Sequence, residues 1–331
     1  MLQRITNDEF VISTFVVRHF DTRSQPMLGQ ITIVGTGLIG GSLGLALKGS
    51  GFSGRIVGCD RPEILARAKQ LGAIDSGESA AESAVQGSDI VVLATPVISI
   101  IDMIGRLGPV LPASTLLTDT GSTKLEIVHQ AERTFGNSAD KRFLGGHPMA
   151  GKERGGIDRA DSNLFAGATW VFTPQGGTHA MVSPAFTGGR QGEWMELLES
   201  IGSRIVILDP ERHDRLCAYT SHLPQMLSIA LASTVVDATE NEPAVAALAG
   251  GGIRGMVRLA KDDYTMWRDV ALTNTKNLHD ALLQIEQKIA HVRENLKTRQ
   301  LQEEFDRAHQ LDLETPPEER KRKDTNEPPK F

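Results

Sequence analysis

Only two cysteines, Cys59 and Cys217, stand among 331 residues. That excludes a disulfide framework and points to a reducing, cytoplasmic compartment. No apolar run approaches the ~18–20 residues of a membrane span. The N-terminal stretch scatters Arg4, Asp8, Glu9 and Arg18 among apolar residues and lacks the basic-then-apolar order of a secretory leader. A basic excess is missing too: 35 Lys and Arg against 41 Asp and Glu leave a net charge of −6, whereas nucleic acid is bound by clustered cations. Anionic metabolites held by local arginines remain compatible with that balance. No repeat occurs at solenoid periods. The histidines show no close ligand spacing, His213 and His222 being nine residues apart, so no metal is expected.

What is present suffices for an ordinary globular enzyme. The chain is 40% hydrophobic and 23% charged, enough to bury sizeable cores. Residues 1–28 form an N-terminal extension in which Phe10–Val17 could be a short strand or helix. From Gly29 to about Asp209, apolar runs alternate with helical stretches. Ile31–Val34, Arg55–Cys59, Ile90–Leu93, Leu116–Asp119, Trp170–Phe172 and Ile205–Leu208 read as buried strands, and Val97–Leu107 and Glu193–Ile201 as helices. That alternation predicts α/β architecture: a doubly wound, mainly parallel sheet covered on both faces. Beyond Asp209-Pro210, the expected hinge, strand signals stop. Leu216, Tyr219, Leu223, Met226, Leu227 and Ala230 keep a helical period, as do Leu278, Ala281, Leu282, Ile285 and Ile289. Pro224 should kink or begin a helix, and Gly250-Gly251-Gly252 should separate two. The expected organisation is thus 29–209 and an all-α 210–310. A tail follows, 311–331, with eleven charged residues and four prolines, expected to be disordered.

The strand at Ile31–Val34 runs into Gly35-Thr36-Gly37-Leu38-Ile39-Gly40, and a helix can follow from Ser42. In that setting G-x-G-x-x-G is a Rossmann-type dinucleotide fingerprint. Gly35 permits the tight turn, Gly37 lets the backbone approach a pyrophosphate, and Gly40 lets helix and strand pack closely. The next strand ends at Cys59-Asp60, with Asp60 23 residues after Gly37, where a carboxylate meets the adenosine ribose. That carboxylate favours NAD. Arg61 beside it could stack on adenine or meet a 2′-phosphate, so NADP stays open. Thr95 and Pro96 follow another strand at the crevice edge; Pro96 suits a helix start, and both are candidates for the cofactor site.

Two loops carry candidate chemistry. In Asp119-Thr120-Gly121-Ser122-Thr123-Lys124, Ser122 or Thr123 could cap a helix, or Ser122 could offer its hydroxyl to a substrate. His147 follows Gly145-Gly146 in a Gly- and Pro-rich segment beyond a strand. There an imidazole is placed for function more than for packing.

In order along the chain stand the Gly35–Gly40 fingerprint, Asp119-Thr120-Gly121-Ser122, His147-Pro148-Met149-Ala150-Gly151-Lys152-Glu153, Ser221-His222-Leu223-Pro224, and Arg254 through Arg258-Leu259-Ala260. From about Gly29 to Leu296 the chain resembles the prephenate/arogenate dehydrogenases of tyrosine biosynthesis. The resemblance implies a nucleotide domain followed by a helical dimerisation domain, hence a homodimer. It implies an NAD-dependent oxidative decarboxylation of prephenate, or of arogenate. Hydride leaves C4, CO2 leaves C1 and the ring becomes a phenol. It also implies roles: His147 accepts the 4-hydroxyl proton, Ser122 bonds that hydroxyl or orients the histidine, and Arg258 holds a carboxylate. Glu153, Arg254, His222 and Gln225 would complete the substrate site. Gln225 stands where many members have histidine, which bears on how the side-chain keto acid is recognised and could admit the amino form. Two other readings differ in kind. A β-hydroxyacid dehydrogenase would need a catalytic lysine, for which Lys276 is the candidate. A non-catalytic NAD-sensing module would bind cofactor without turnover.

Overall fold

A computed structural model describes residues 11–12, 28–175 and 189–312. The expected disorder of the charged tail falls, from residue 313 on, outside the described residues, as does most of the N-terminal extension.

Nine strands among the described residues form one sheet: β1 (Val11–Ile12), β2 (Gln30–Val34), β3 (Arg55–Cys59), β4 (Ser76–Glu78), β5 (Ile90–Leu93), β6 (Leu116–Asp119), β7 (Phe143–Pro148), β8 (Thr169–Thr173) and β9 (Arg204–Ile207). Their order is β1-β9-β8-β7-β6-β5-β2-β3-β4. From β4 to β7 every pairing is parallel, and the order is the doubly wound one, with the chain reversing direction across the sheet at β2/β5. β8 runs antiparallel to β7, β9 parallel to β8 and β1 antiparallel to β9. Helices α1 (Leu38–Gly49), α2 (Pro62–Gln70), α3 (Ala81–Ala84), α4 (Val97–Leu107), α5 (Leu125–Phe135), α6 (Ala139–Arg142) and α7 (Arg190–Ser200) intervene. Buried side chains form two clusters, one containing Ile31, Ile33, Trp170 and Trp194, the other Val34, Val91, Ile100 and Phe143. Strands buried on both sides explain why β2, β5 and β6 are almost continuously apolar.

Two strands escaped the sequence reading, the short β4 and β7, while β1 falls within Phe10–Val17, where strand and helix were both open. β7 matters most, because it moves His147 from the expected loop into a strand, paired with Val171 of β8. Its Gly145-Gly146 pair hides the strand, since glycine is a poor strand former. A Cβ at Gly146 would come within 2.7 Å of the Asp119 carbonyl, and one at Gly145 within 2.5 Å of Thr173 Oγ1. Close backbone approach is therefore what the glycines provide.

After Asp209 the described chain is helical: α8 (Pro210–Cys217), a π-turn (Ala218–His222), α9 (Leu223–Asn241), α10 (Ala244–Ala247), α11 (Gly251–Met256), a 3₁₀ turn (Arg258–Lys261), α12 (Tyr264–Thr273), α13 (Thr275–Glu294) and α14 (Gln300–Ala308). Pro224 lies in the first turn of α9, where its missing N–H costs nothing. Of the three glycines, only Gly250 lies outside a helix; Gly251 and Gly252 begin α11. The described residues through Leu278 form one compact unit and those from His279 on another. The first unit runs past Asp209-Pro210 for a visible reason. Asp214 of α8 accepts the N–H groups of Lys124 and Leu125 at the start of α5, at 2.7 and 3.0 Å. Asp269 of α12 accepts Ile98 N–H at the start of α4, at 3.2 Å. Each carboxylate satisfies an orphan donor and meets the positive end of a helix dipole. In the second unit, Lys288 and Glu304 pair at 2.8 Å.

From α8 into α9 the usual amphipathic arrangement is inverted. Leu216 and Tyr219 of the apolar stripe are exposed, while the buried positions there are His213, Asp214, Cys217, Ala218, His222, Gln225 and Ser228; in α12 and α13, Val270, Leu278 and Ala281 are buried. A mostly polar face turned inward marks a site, not a core.

Candidate active site

The fingerprint loop adopts the geometry that a pyrophosphate needs. Gly35 has φ +94°, and a Cβ there would sit 2.5 Å from the Ala94 carbonyl. A Cβ on Gly40 would lie 2.0 Å from the Gly35 carbonyl and 2.8 Å from Ile33 Cγ2, whereas one on Gly37 would meet nothing within 4 Å. The loop is thus closed behind Gly35 and Gly40 and open at Gly37, with α1 starting at Leu38 and Ile39 next to it. Asp60, just after β3, accepts Thr36 N–H at 2.8 Å, so it braces the loop. Arg61 is largely exposed and pairs with Glu63 at 3.5 Å. Pro96 is the N-cap residue of α4. Beside it, the buried Thr95 hydroxyl has no hydrogen-bond partner among the described residues.

β6 and β7 end on the same edge of the sheet. β6 delivers Asp119 and then the half-buried Ser122; β7 delivers His147, 8% exposed. Neither Ser122 nor Thr123 caps α5, because Asp214 already does. Burial, the neighbouring imidazoles of His213 and His222, and the Lys124 cation hold His147 well below the ordinary imidazole value of 6.5. Its neutral form is the favoured one. Below it, Asp119 and Lys124 form a fully buried ion pair. Asp119 also accepts Gly121 N–H at 2.8 Å and Gly146 N–H at 3.1 Å, tying both chemistry loops to one carboxylate.

His147 has a neighbour that the sequence did not single out. Its Nδ1 lies 2.8 Å from His213 Nε2, and His213 Nδ1 lies 2.8 Å from Asp214 Oδ1. Cys217 Sγ is 3.4 Å from the same His213 Nε2. His213 lies in Glu211-Arg212-His213-Asp214, a run that reads as a solvated helix start. A histidine one turn from Cys217 was the available signal. His147, His213 and Cys217 place three metal-capable atoms within 4.8 Å of one another, which sequence spacing did not foresee. The two nitrogens sit closer than the about 3.3 Å that separates ligands on a tetrahedral zinc, and burial pushes the Cys217 thiol up to about 12. The contact is a hydrogen bond.

His222 is buried, and burial pushes it down to about 4, against the opposing pull of Asp214 and the nearby Ser122 main chain. Asn277 donates to Asn274 Oδ1 at 2.8 Å, which orients the Asn274 amide so that Nδ2 faces His222 Nδ1 at 3.2 Å. Among the described residues His222 Nε2 has no partner in good hydrogen-bond geometry, the Ser122 main chain being the group nearby. Gln225 donates from Nε2 to the Leu259 carbonyl at 2.8 Å, leaving its buried Oε1 unpartnered among the described residues. Arg258 pairs with Glu153 at 3.1 Å, both more than half exposed. Arg254 is exposed on α11. The fold therefore groups His147 with His213, Asp214 and His222, joins Arg258 to Glu153, and leaves Arg254 on the surface.

Burying three neutral imidazoles has a cost in acid. His147, His213 and His222 are all depressed below 6.5. Below that pH the unfolded chain binds more protons than the folded one, so stability falls as pH drops. The urea midpoint is expected to be lower at about pH 5.5 than at about pH 7.5. An equal or higher midpoint at the acid pH would contradict the buried neutral cluster.

Residues 43–208 match the family model for the prephenate dehydrogenase nucleotide-binding domain, and residues 209–310 the model for the prephenate dehydrogenase dimerization domain. The chain is 36% identical over 246 residues to prephenate dehydrogenase of Lactococcus lactis subsp. cremoris, covering 74% of this chain and 65% of the relative. It thus spans just under two thirds of that relative's length. The crystal structure of A. aeolicus prephenate dehydrogenase in complex with hydroxyphenyl propionate and NAD+ is similar, with a TM-score of 0.75 at 31% identity, covering 87% of this chain and 96% of that one. Synechocystis arogenate dehydrogenase gives a TM-score of 0.66 at 28% identity, covering 85% and 96%.

Proposed function

Because this chain belongs to the prephenate dehydrogenase family, we propose that it catalyses the NAD-dependent oxidative decarboxylation of prephenate to 4-hydroxyphenylpyruvate. The observation that carries this reading is a buried, neutral His147 on the sheet edge shared with the open phosphate-binding loop and Ser122. Gly35, Gly37, Leu38, Ile39 and Gly40 would hold the pyrophosphate, Asp60 and Arg61 the adenosine end, and Thr95 and Pro96 the ribose beside the ring. The nicotinamide, when bound, supplies the hydride acceptor.

The chain's own work is then orientation and proton removal. Loss of CO2 and aromatisation drive the reaction, so what remains is to aim the substrate and take up charge. His147 accepts the 4-hydroxyl proton, and Ser122 bonds the same oxygen. Arg258 holds a substrate carboxylate, with Glu153 as its partner in the free protein and Arg254 near the mouth. His222 and Gln225 line the buried end. We take residues 29–209 as the nucleotide domain and 210–310 as the substrate and dimerisation domain, in a cytoplasmic homodimer. Exposed apolar side chains such as Leu248, Met256 and Leu272 support a second copy packing on the helices.

Arogenate is the second reading, and Gln225 favours it. With Nε2 committed to Leu259, the free atom is an acceptor, which suits an ammonium and not a keto oxygen. Purified protein given prephenate or arogenate with NAD or NADP, followed at the reduced-nicotinamide absorbance, separates these cases. No signal in any pairing would sink the family activity. Arg258→Gln is expected to raise KM at least about 10-fold, as loss of a charged carboxylate contact does. The fold should hold, because an ion pair this exposed contributes about 0–1 kcal/mol. An unchanged KM would count against carboxylate capture.

A further inference from the structure

We propose that His213 and Asp214 form a positioning relay behind His147, fixing which of its ring nitrogens is the base and sharing the proton it collects. This rests on His147 being the base in the reaction above.

The donor and acceptor inventory leaves one consistent arrangement. The Asp214 carboxylate already accepts Lys124 N–H on Oδ1 and Leu125 N–H on Oδ2. A carboxylate only accepts, so the 2.8 Å contact of Oδ1 to His213 Nδ1 needs a proton on that nitrogen. A neutral His213 then presents a bare Nε2. The 2.8 Å contact from Nε2 to His147 Nδ1 therefore needs a proton on His147 Nδ1. His147 is left with a bare Nε2, the only form in which that nitrogen can remove a hydroxyl proton. The Cys217 thiol, held protonated by burial, is a second and weaker donor to His213 Nε2.

The same chain disposes of the proton. The substrate O–H bond breaks and a proton joins His147 Nε2. The proton on His147 Nδ1 can then pass to His213 Nε2, leaving His147 neutral and His213 cationic, with no atom gained or lost. The surroundings favour charge on His213. His147 faces His213, Lys124 and His222, none of them an anion. His213 faces Asp214 and Asp119 as well as Lys124, His147 and Cys217. Asp214 thus links the base to the start of α5, whose first turn follows Ser122.

The full-length protein, labelled with ¹⁵N in its histidine rings, tests this without turnover. His147, assigned by loss of its signals in His147→Asn, is expected as the Nδ1–H tautomer; an Nε2–H tautomer would overturn the relay. In Asp214→Asn the amide can donate to His213 Nδ1, which should invert both tautomers. kcat should fall about 100-fold, toward the lower end of what a general base contributes, with KM nearly unchanged. His213→Leu should lose a similar factor, and His213→Gln, which keeps an acceptor for His147, should recover part of it. Equal activity in the leucine and glutamine variants, or full activity in Asp214→Asn, would also overturn the proposal. If His147→Asn itself kept its turnover, the base reading would fail, while the tautomer measurement would still stand.

Discussion

Replacing His147 with asparagine is expected to lower kcat by about 10²–10⁴-fold, the range general-base catalysis supplies, while substrate affinity changes little. In barrier terms that is about 3–5 kcal/mol. Asparagine is smaller than the imidazole and still polar, so the strand pairing of residue 147 with Val171 should hold. What it lacks is a nitrogen that can take a proton near neutrality. Burial and nearby cationic and imidazole groups depress His147, so in the wild type the acid limb of kcat/KM should lie below pH 6.5. Steady-state turnover together with ligand binding by calorimetry separates the two effects. Turnover within about threefold of wild type would remove His147 from the role, because the barrier change would then be below 1 kcal/mol. Weakened binding with kcat preserved would instead make it a binding residue.

Lys124→Met is expected to destabilise the fold by about 3–5 kcal/mol, the cost of leaving a buried charge without its partner. Lys124 and Asp119 are both 0% exposed. Burial pushes Asp119 up and Lys124 down, each toward neutrality, and their contact works against both shifts. Methionine fills nearly the same volume, so lost packing is minor. The Asp119 carboxylate keeps the Gly121 and Gly146 N–H groups but loses its cation. Asp119→Asn combined with Lys124→Met should recover part of the loss, since the orphaned charge is gone. Urea unfolding measures both. A change below about 1 kcal/mol in the single variant would show that the pair contributes little. The same variant carries a kinetic signature. Lys124 is one of the groups that lower His147 and His213, so its removal should move the acid limb of activity to higher pH.

Much of the fold was legible from local pattern. The apolar runs at β2, β3, β5, β6, β8 and β9 are where strands form, because those strands are buried on both faces. The fingerprint glycines read correctly because their roles are steric and local: a positive φ at Gly35, open space at Gly37, close packing at Gly40. β7 was not legible. Its two glycines weaken strand propensity, and the reason for them, the nearby Asp119 carbonyl and Thr173 side chain, comes from other parts of the chain. The first helices after Asp209, α8 and α9, showed their period but not their direction, since Leu216 and Tyr219 are exposed and the buried face is mostly polar, whereas Leu278 and Ala281 of the later stripe are buried as read.

His147 shows where the division falls. Its segment, the preceding nucleotide loop and the order of the motifs are properties of the sequence, because they depend on residue type and short spacing. Which nitrogen of its ring is free to act depends on His213 and Asp214, 66 and 67 positions later in the chain. No local period encodes that contact. It exists because α8 caps α5 through Asp214, and the residue beside that cap is carried against the edge of β7.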